Sequence, residues 1–253
     1  MKKLCCLIAV AVFVFTLSGG CFAVENEPQV SAKAAVVIEA GTGRVVFGKN
    51  ENAKLPMAST TKIMSVLLTL ESGDLDSEFV VDSEAVKTEG SSMGLMEGDI
   101  VSKRDLCIGM LLPSGNDAAN CAAVKVGGSM AGFADMMNAK ASRLGLKNTH
   151  FVTPSGLHDD EHYSTAYDMA QLTSFALKNE DFRAICSQKS IKLAFGDPPY
   201  DRWLANTNKL LTRYEGCVGV KTGFTDQKIG ALPCFGGGKG RRYPYLCDPE
   251  RTR

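Results

Sequence analysis

The hydrophobic and polar positions arrange the chain as strands at both ends with helices between them. The apolar run Ala34–Glu39 predicts a buried strand, and Arg44–Phe47 predicts its hairpin partner after a glycine-bearing turn. Cys217–Val220 predicts a further strand near the other end. Helical spacing predicts helices over Ser59–Leu70, Lys103–Leu112, Asp117–Val126, Gly132–Leu144 and Ala166–Lys178. This order favours an α+β fold whose antiparallel central sheet takes strands from both chain ends and carries a largely helical lobe.

The helix predicted over Ser59–Leu70 differs from the others because apolar residues cover most of its circumference. A helix that is apolar on nearly every face is stable only when other elements surround it. We therefore expect this helix to be the central, buried helix of the domain.

Residues 1–23 have the pattern of a secretory signal peptide. Lys2 and Lys3 give a positive start, Leu4–Leu17 is almost entirely apolar, and Cys21-Phe22-Ala23 places small residues before a cleavage point. A retained membrane anchor is the alternative, but the apolar run is shorter than the roughly 20 residues that span a bilayer. We expect cleavage after Ala23 and a secreted, extracytoplasmic protein of the cell envelope.

Composition narrows the class of protein further. The 253 residues are 45% hydrophobic, the formal net charge is zero and aromatic residues make up 8%. One main domain with a sizeable core is expected, and a nucleic-acid partner is not, because such proteins carry a basic excess. The cysteines of the body show no metal-site spacing, so we expect no metal and no cofactor. They are expected to be small buried residues, with their disulfide state left open: Cys107, Cys121, Cys186 and Cys217.

Ser59-Thr60-Thr61-Lys62 is the first candidate for chemistry. Positions three apart share one face of a helix, so the Lys62 amine can lie beside the Ser59 hydroxyl. A serine hydroxyl needs an adjacent base, and burial lowers the pKa of a lysine toward the range in which it can accept a proton. The alternative is a helix-capping serine followed by a solvent-facing lysine.

Ser114-Gly115-Asn116 and Lys221-Thr222-Gly223 are the second and third candidates. The Ser114 hydroxyl can relay a proton, and the Asn116 amide can hold a backbone group of a peptide. At the end of a strand, Lys221 and Thr222 can grip a carboxylate, and a glycine lets the backbone approach closely. The alternatives are an ordinary helix cap for the serine and a solvated lysine at a strand end.

The three motifs occur once each and in the order found in penicillin-binding proteins and β-lactamases. Together with their neighbours they resemble the low-molecular-mass penicillin-binding proteins of the D-alanyl-D-alanine carboxypeptidase family. The resemblance runs from about Val30 to Asp226 and implies the β-lactamase/transpeptidase-like fold. The segments that carry it are Pro56–Met64, Ser91–Leu95, Pro113–Ala119, His162–Met169 and Gly219–Asp226.

The resemblance implies an acyl-enzyme mechanism. Ser59 attacks the carbonyl between the two terminal D-alanines of a peptidoglycan stem peptide, and Lys62 accepts its proton. Ser114 passes a proton toward the departing D-alanine. The backbone N–H groups of Ser59 and Phe224 form the oxyanion hole, whose donors each contribute on the order of 10²–10³ in rate.

The same resemblance implies the binding residues and partners. Asn116 orients the peptide, and Lys221 and Thr222 hold its terminal carboxylate beside Gly223. β-Lactam antibiotics are expected to acylate Ser59, because their strained amide imitates the scissile bond. Membrane association is expected only through a C-terminal anchor that this chain lacks.

Several alternatives share these motifs. A class A β-lactamase needs a glutamate-bearing loop that activates the deacylating water, and Thr149–Tyr163 offers Glu161 but not that motif. A non-catalytic binder of cell-wall peptide or β-lactam is a second alternative, and an endopeptidase that cuts cross-links is a third. The histidines are expected in surface or local packing roles: His150, His158 and His162.

The residues after Asp226 depart from the family pattern. Residues 227–253 contain a run of three glycines and three prolines, and they show no alternating strand pattern. Read one base forward, their codons can encode an apolar strand, a charged turn and a second strand. We therefore interpret 227–253 as a frameshift product behind an incomplete catalytic domain at 24–226. We expect the Lys221 strand to lack a neighbour and the chain to be poorly folded or weakly active.

Overall fold

The computed structural model describes residues 29–223 and the backbone of two further strands, 232–236 and 245–248. The predicted signal peptide, the cleavage point after Ala23 and Phe224 lie outside the described residues. Most of the predicted anomalous tail also lies outside them.

Strands and helices follow one another much as the sequence predicts. The strands are β1 (Ala35–Ile38), β2 (Val45–Lys49), β3 (Glu78–Val80), β4 (Ile100–Ser102), β5 (Ser190–Phe195), β6 (Tyr200–Ala205), β7 (Cys217–Val220), β8 (Leu232–Gly236) and β9 (Tyr245–Asp248). The helices are α1 (Lys62–Glu71), α2 (Lys103–Leu111), α3 (Asn116–Gly127), α4 (Met130–Arg143), α5 (Ala166–Ala176), α6 (Glu180–Cys186) and α7 (Leu210–Arg213). The five predicted helices and three predicted strands are confirmed to within a few residues.

Local chemistry sets the ends of the helices that surround the site. The Ser102 hydroxyl accepts the N–H of Asp105 while the Asp105 carboxylate accepts the N–H of Ser102, which is a capping box at the start of α2. The Thr165 side chain accepts the N–H of Asp168 at the start of α5. Gly128, at φ +71°, ends α3 in the left-handed conformation that glycine tolerates.

Helix α1 is the central helix, as predicted. Every residue from Lys62 to Leu70 is buried, and the helix packs against α2, α3 and α5. Ile63, Met64 and Leu67 are among the largest fully buried side chains of the described chain. Burying one such side chain contributes about 1.5–3 kcal/mol, so this helix is a stable base for the turn that precedes it.

Strands from early and late in the described chain lie side by side, as the sequence predicts, in two separate hydrogen-bonded sheets. β7 pairs antiparallel with β8, β8 pairs antiparallel with β9, and β9 lies next to β1. β1 itself pairs with β2 in a hairpin. The strand that leads into Lys221 is therefore held on one side by β8, in a sheet whose far strand, β9, lies next to the amino-terminal strand β1.

One expectation about the tail is wrong. β7 does not lack a neighbour, because β8 lies along it with Val220 opposite Cys234. The physical reason is strand propensity: apolar and aromatic residues in 232–236 and 245–248 suit a pleated sheet despite the proline and glycines around them. The origin of residues 227–253 in a shifted reading frame stays a prediction.

The hairpin of β5 and β6 was not predicted from the sequence. It pairs Ser190 with Ala205 and Phe195 with Tyr200. Just beyond β6, the Thr207 N–H donates to the Leu112 carbonyl at 3.1 Å. The hairpin thereby places Thr207 beside the loop that follows α2.

Cys107, Cys121 and Cys186 are free thiols. Cys107, Cys121 and Cys186 are buried, which confirms their predicted role as small core residues, while Cys217 is half-buried. In the described part of the chain, no helix combines the length and apolar character needed to cross a bilayer.

Candidate active site

Ser59 lies in a short 3₁₀ turn, Ala58–Thr61, that leads directly into α1. Ala58 has φ +48°, a left-handed conformation that is uncommon for a residue with a side chain. Two threonines close the turn: Thr60 Oγ1 donates to the Met57 carbonyl at 2.5 Å, and Thr61 Oγ1 donates to the Ala58 carbonyl at 2.7 Å. The cap position of α1 is Thr61, so the alternative of Ser59 as a helix cap is wrong.

Lys62 is fully buried, and its Nζ atom lies 2.9 Å from Ser59 Oγ. Nζ also donates to Asn116 Oδ1 at 2.7 Å and to the Ser155 carbonyl at 2.7 Å. Burial, followed by the nearby charge of Lys221, holds the pKa of Lys62 well below the ordinary lysine value, while Asp117 opposes this. The alternative of a solvent-facing lysine is wrong.

The three neighbours of Lys62 Nζ have different hydrogen-bonding abilities. The oxygens of Asn116 and Ser155 can only accept, whereas the Ser59 hydroxyl can also donate. A neutral amine has two N–H groups and one lone pair. With both N–H groups donated to Asn116 and Ser155, the lone pair is left for the Ser59 hydroxyl proton. This arrangement suits a general base beside a nucleophile.

Lys221 directly follows β7 and is fully buried. Burial lowers the pKa of Lys221 to about 7, and its Nζ atom donates to the Thr222 carbonyl at 2.7 Å. The Thr222 hydroxyl lies 2.7 Å from the Thr207 hydroxyl. Thr222 and Gly223 line the cleft together with Ser59, whereas Lys221 is not among the lining residues. The charge of Lys221 nevertheless acts within the site, because it contributes to the lowered pKa of Lys62.

Ser114 and Asn116 line the same cleft. Ser114 is buried with φ +68°, and the cap of α3 is Gly115, so the alternative of Ser114 as a helix cap is wrong. Sparsely populated backbone conformations of this kind concentrate at functional sites. Asn116 Nδ2 donates to the Glu89 carbonyl at 2.7 Å, so its amide joins Lys62 to the loop that precedes Ser91.

These residues surround one cleft of about 650 Å³. The motif residues on its wall are Ser59, Ser114, Asn116, Thr222 and Gly223. Within the described residues, no group of three or more histidine, cysteine, aspartate or glutamate side chains could hold a metal ion. The cleft thus combines a hydroxyl, a buried amine and polar walls, which is the arrangement for covalent catalysis by serine.

Comparison with known families agrees with this geometry. The model of the D-alanyl-D-alanine carboxypeptidase family, Peptidase S11, matches residues 22–233. The chain belongs to this family. Its relatives include D-alanyl-D-alanine carboxypeptidase DacF of Bacillus subtilis, which is 37% identical over 240 residues. That match covers 90% of this chain and 61% of the relative, so the chain spans less than two thirds of DacF.

Other members of the family are similar to this carboxypeptidase-family chain. The D-alanyl-D-alanine endopeptidase of Pseudomonas aeruginosa is 31% identical over 79% of this chain and 66% of its own length. The crystal structure of the Streptomyces K15 DD-transpeptidase superposes with a TM-score of 0.83 at 30% identity. The superposition covers 90% of this chain and 92% of that structure. The expected fold and family are therefore confirmed.

The class A β-lactamase alternative is not supported for this carboxypeptidase-family chain. Its relatives are named as carboxypeptidases and endopeptidases. Glu161, which the sequence offered for a deacylating role, is exposed and does not line the cleft. Its carbonyl is hydrogen-bonded to the His150 ring and its N–H donates to Asp159.

Sequence reasoning missed Asp117, the residue after Asn116. The buried Asp117 carboxylate accepts the N–H groups of Met93, Gly94 and Leu95, each at 3.0 Å. One side chain thus satisfies three donors of the 91–95 loop and holds that loop against α3. The acidic residue that follows the second motif was visible in the sequence, but its backbone partners were not.

Sequence reasoning also missed the loop of residues 153–157. Ser65 of α1 donates its hydroxyl to the Pro154 carbonyl at 2.6 Å, and Lys62 bonds to the Ser155 carbonyl. Gly156 lies so close to the nucleophile turn that a Cβ atom would be 1.9 Å from the Ala58 carbonyl oxygen. The loop is therefore part of the site although it carries none of the three motifs. Its proline and glycine gave the only signal, and they indicated no more than a loop.

Proposed function

We propose that this chain is a serine-type D-Ala-D-Ala carboxypeptidase that removes the terminal D-alanine of peptidoglycan stem peptides. The observation that carries the proposal is the fully buried Lys62 amine 2.9 Å from the Ser59 hydroxyl. Burial lowers the pKa of Lys62, and two carbonyl oxygens accept its N–H groups, so its lone pair faces the serine proton.

In the proposed first step, Ser59 Oγ attacks the carbonyl of the penultimate D-alanine while its proton passes to Lys62 Nζ. The Ser59 N–H stabilises the negative charge on the carbonyl oxygen, with Phe224 as the second donor that the family resemblance implies. As the C–N bond breaks, the Ser114 hydroxyl gives its proton to the departing amine and takes back a proton from Lys62, which becomes neutral again. Water then attacks the ester carbonyl and gives a proton to Lys62, and this proton passes to Ser59 Oγ as the ester C–O bond breaks. Splitting amide cleavage into these two steps lowers the barrier of each.

The binding residues follow from the same cleft. Thr222 lies on the wall of the cleft beside Gly223, and its hydroxyl contacts the terminal carboxylate directly. Lys221, whose amine is bonded to the Thr222 carbonyl, supplies positive charge once it is protonated, and an incoming carboxylate raises its pKa again. Asn116 Nδ2 has a second N–H beyond the one bonded to Glu89, and this N–H is available for a peptide carbonyl.

The test is direct. The purified chain is incubated with a peptide ending in D-Ala-D-Ala, and released D-alanine is measured. In parallel, intact mass is measured after treatment with penicillin, with Ser59→Ala as the control. We expect D-alanine release and a mass increase of one penicillin on the wild type only. Penicillin labelling without D-alanine release would support the non-catalytic binder instead.

An endopeptidase that cuts cross-linked peptides is the second candidate. The observation in its favour is the similarity to endopeptidases such as the Pseudomonas aeruginosa relative. A cross-linked dimer of stem peptides separates the two activities: an endopeptidase converts the dimer to monomers, whereas a carboxypeptidase leaves the cross-link intact.

We further propose that residues 1–23 are a cleaved signal peptide, that 24–226 form the catalytic domain and that 227–253 come from a shifted frame. Action outside the cytoplasm is supported by the D-alanyl-D-alanine carboxypeptidase activity named for a relative, because the peptidoglycan proposed here as substrate lies outside the cytoplasm. Sequencing the gene around the Gln227 codon tests the last point, since an intact frame without a slip removes it.

A further inference from the structure

His162 is a buried imidazole whose two ring nitrogens both make hydrogen bonds. The Val152 N–H donates to Nδ1 at 2.9 Å, so Nδ1 is the acceptor and Nε2 carries the proton. Nε2 lies 2.8 Å from Thr61 Oγ1 and donates to it. Burial lowers the pKa of His162 to about 4, so the ring is neutral near pH 7.

The contact with Thr61 leads directly to the nucleophile turn. Thr61 Oγ1 accepts from His162 and donates its own proton to the Ala58 carbonyl at 2.7 Å. Ala58 is the left-handed residue immediately before Ser59. A chain of two hydrogen bonds therefore joins the imidazole to the peptide group that sets the direction of the Ser59 side chain.

The surroundings of the Ala58 carbonyl make this chain effective. Gly156, at φ +84°, lies against both the carbonyl oxygen and Thr61 Oγ1, where even a Cβ atom would be too close. The loop that carries Gly156 also accepts the N–H of Lys62 through Ser155. His162 is hydrogen-bonded to Val152, just before this loop, and to Thr61 in the nucleophile turn. It therefore joins the loop that orients Lys62 to the turn that carries Ser59, and these two must be aligned for acylation.

We propose that His162 is a positioning residue for Ser59, acting through Thr61 and the Ala58 carbonyl. The inference rests on the proposed acyl-enzyme function and assigns no proton transfer with substrate to the imidazole. Its N–H holds the strained turn in the orientation that keeps Ser59 Oγ within reach of Lys62 Nζ. Displacement of a reacting group by about 1 Å costs on the order of 10²-fold in rate, so loss of this bond should slow acylation without weakening substrate binding.

Two amide variants separate the two hydrogen bonds of the ring. The amide of His162→Gln reaches the position of Nε2 and can donate to Thr61. The shorter amide of His162→Asn takes the position of Nδ1, where it can accept from Val152 but cannot reach Thr61. Thr61→Val removes the hydroxyl at nearly constant shape, and Thr61→Ser restores it.

Acylation by a fluorescent penicillin is measured for each variant and normalised to the fraction of chains whose Ser59 is finally labelled. The kcat and KM for D-alanine release are measured on the same samples. We expect His162→Asn and Thr61→Val to acylate about 10–100-fold more slowly, with kcat reduced and KM unchanged. His162→Gln and Thr61→Ser should recover most of the rate, and the His162→Asn, Thr61→Val double variant should be no slower than either single variant.

The normalisation separates positioning from simple loss of folded protein. Wild-type rates per labelled Ser59 in both His162→Asn and Thr61→Val would overturn the inference, as would equal rates for the Gln and Asn variants. Where His162→Asn fails to fold, the comparison of Thr61→Val with Thr61→Ser decides the question. A wild-type chain that neither acylates nor releases D-alanine overturns the proposed function itself, which is a different result from normal wild-type activity with unaffected variants.

Discussion

Replacing Lys221 by methionine should change how the stability of the protein depends on pH. Methionine keeps much of the buried volume and removes the amine. Burial lowers the pKa of Lys221 from the ordinary 10.5 to about 7. Between these two values the unfolded chain binds a proton at this residue and the folded chain does not, so the free energy of unfolding rises with pH.

The size of the effect follows from the pKa difference of about 3.5. Each pH step of one within this window adds about 1.4 kcal/mol to the wild-type stability, and the whole window adds about 5 kcal/mol. Between pH 7.5 and 9.5 the stability of the wild type should therefore rise by about 3 kcal/mol relative to Lys221→Met. This gain in the free energy of unfolding disappears as the pH falls toward 7, and it reaches its full size above pH 10.5.

Urea unfolding at several pH values, followed by circular dichroism, measures this difference. Circular dichroism is preferable to fluorescence because the single tryptophan, Trp203, is 73% exposed and reports poorly on the core. Lys209→Met, at an exposed lysine, is the matched control and should run parallel to the wild type. Parallel pH profiles for the wild type and Lys221→Met would refute the reasoning, because they would mean that the buried amine keeps its proton in the folded state.

Three other perturbations test the site. Lys62→Gln should reduce the rate of acylation by penicillin by about 10²–10⁴-fold. In the wild type, the acylation rate should rise with pH and level off above the lowered pKa of Lys62. Stopped-flow labelling across pH measures both effects, and an undiminished rate in the variant would exclude Lys62 as the base. Asp117→Asn removes a negative charge that raises the Lys62 pKa, so the rise of the acylation rate with pH should move to lower pH. The free energy of unfolding should fall by about 1–3 kcal/mol, because the 91–95 loop loses its carboxylate acceptor. A rise that stays at the same pH would contradict the assignment of Lys62 as the base. Gly156→Ala places a Cβ atom 1.9 Å from the Ala58 carbonyl oxygen at a residue with φ +84°. Thermal unfolding should show a free energy of unfolding lower by about 2 kcal/mol or more, and acylation should be slower. The control Gly145→Ala, also at positive φ but in open space, should lose stability and keep normal acylation per folded molecule.

Much of the fold could be predicted because it depends on local pattern. Helix α1 could be predicted because apolar residues occupy nearly every face of it. Helices α2, α3 and α5 could be predicted from amphipathic spacing, with proline and glycine residues between the helices. The hairpin of β5 and β6 was missed because its strands alternate exposed and half-buried residues with charges among them. The strands of the tail were missed because proline and glycine obscured short segments whose pairing depends on β7 being beside them.

The sequence by itself determined which residues are proposed for the chemistry: a serine and a lysine three residues apart at the start of a buried helix, and the residues of two further motifs in the family order. Only the tertiary structure decided which atoms meet. The carbonyl of Ser155 that orients Lys62, the carboxylate of Asp117 that holds the 91–95 loop and the imidazole of His162 at the nucleophile turn come from segments far apart in the chain. Spacing along a helix fixes neighbours within one turn, but a buried hydrogen-bond partner from another segment is chosen by packing, which no local pattern encodes.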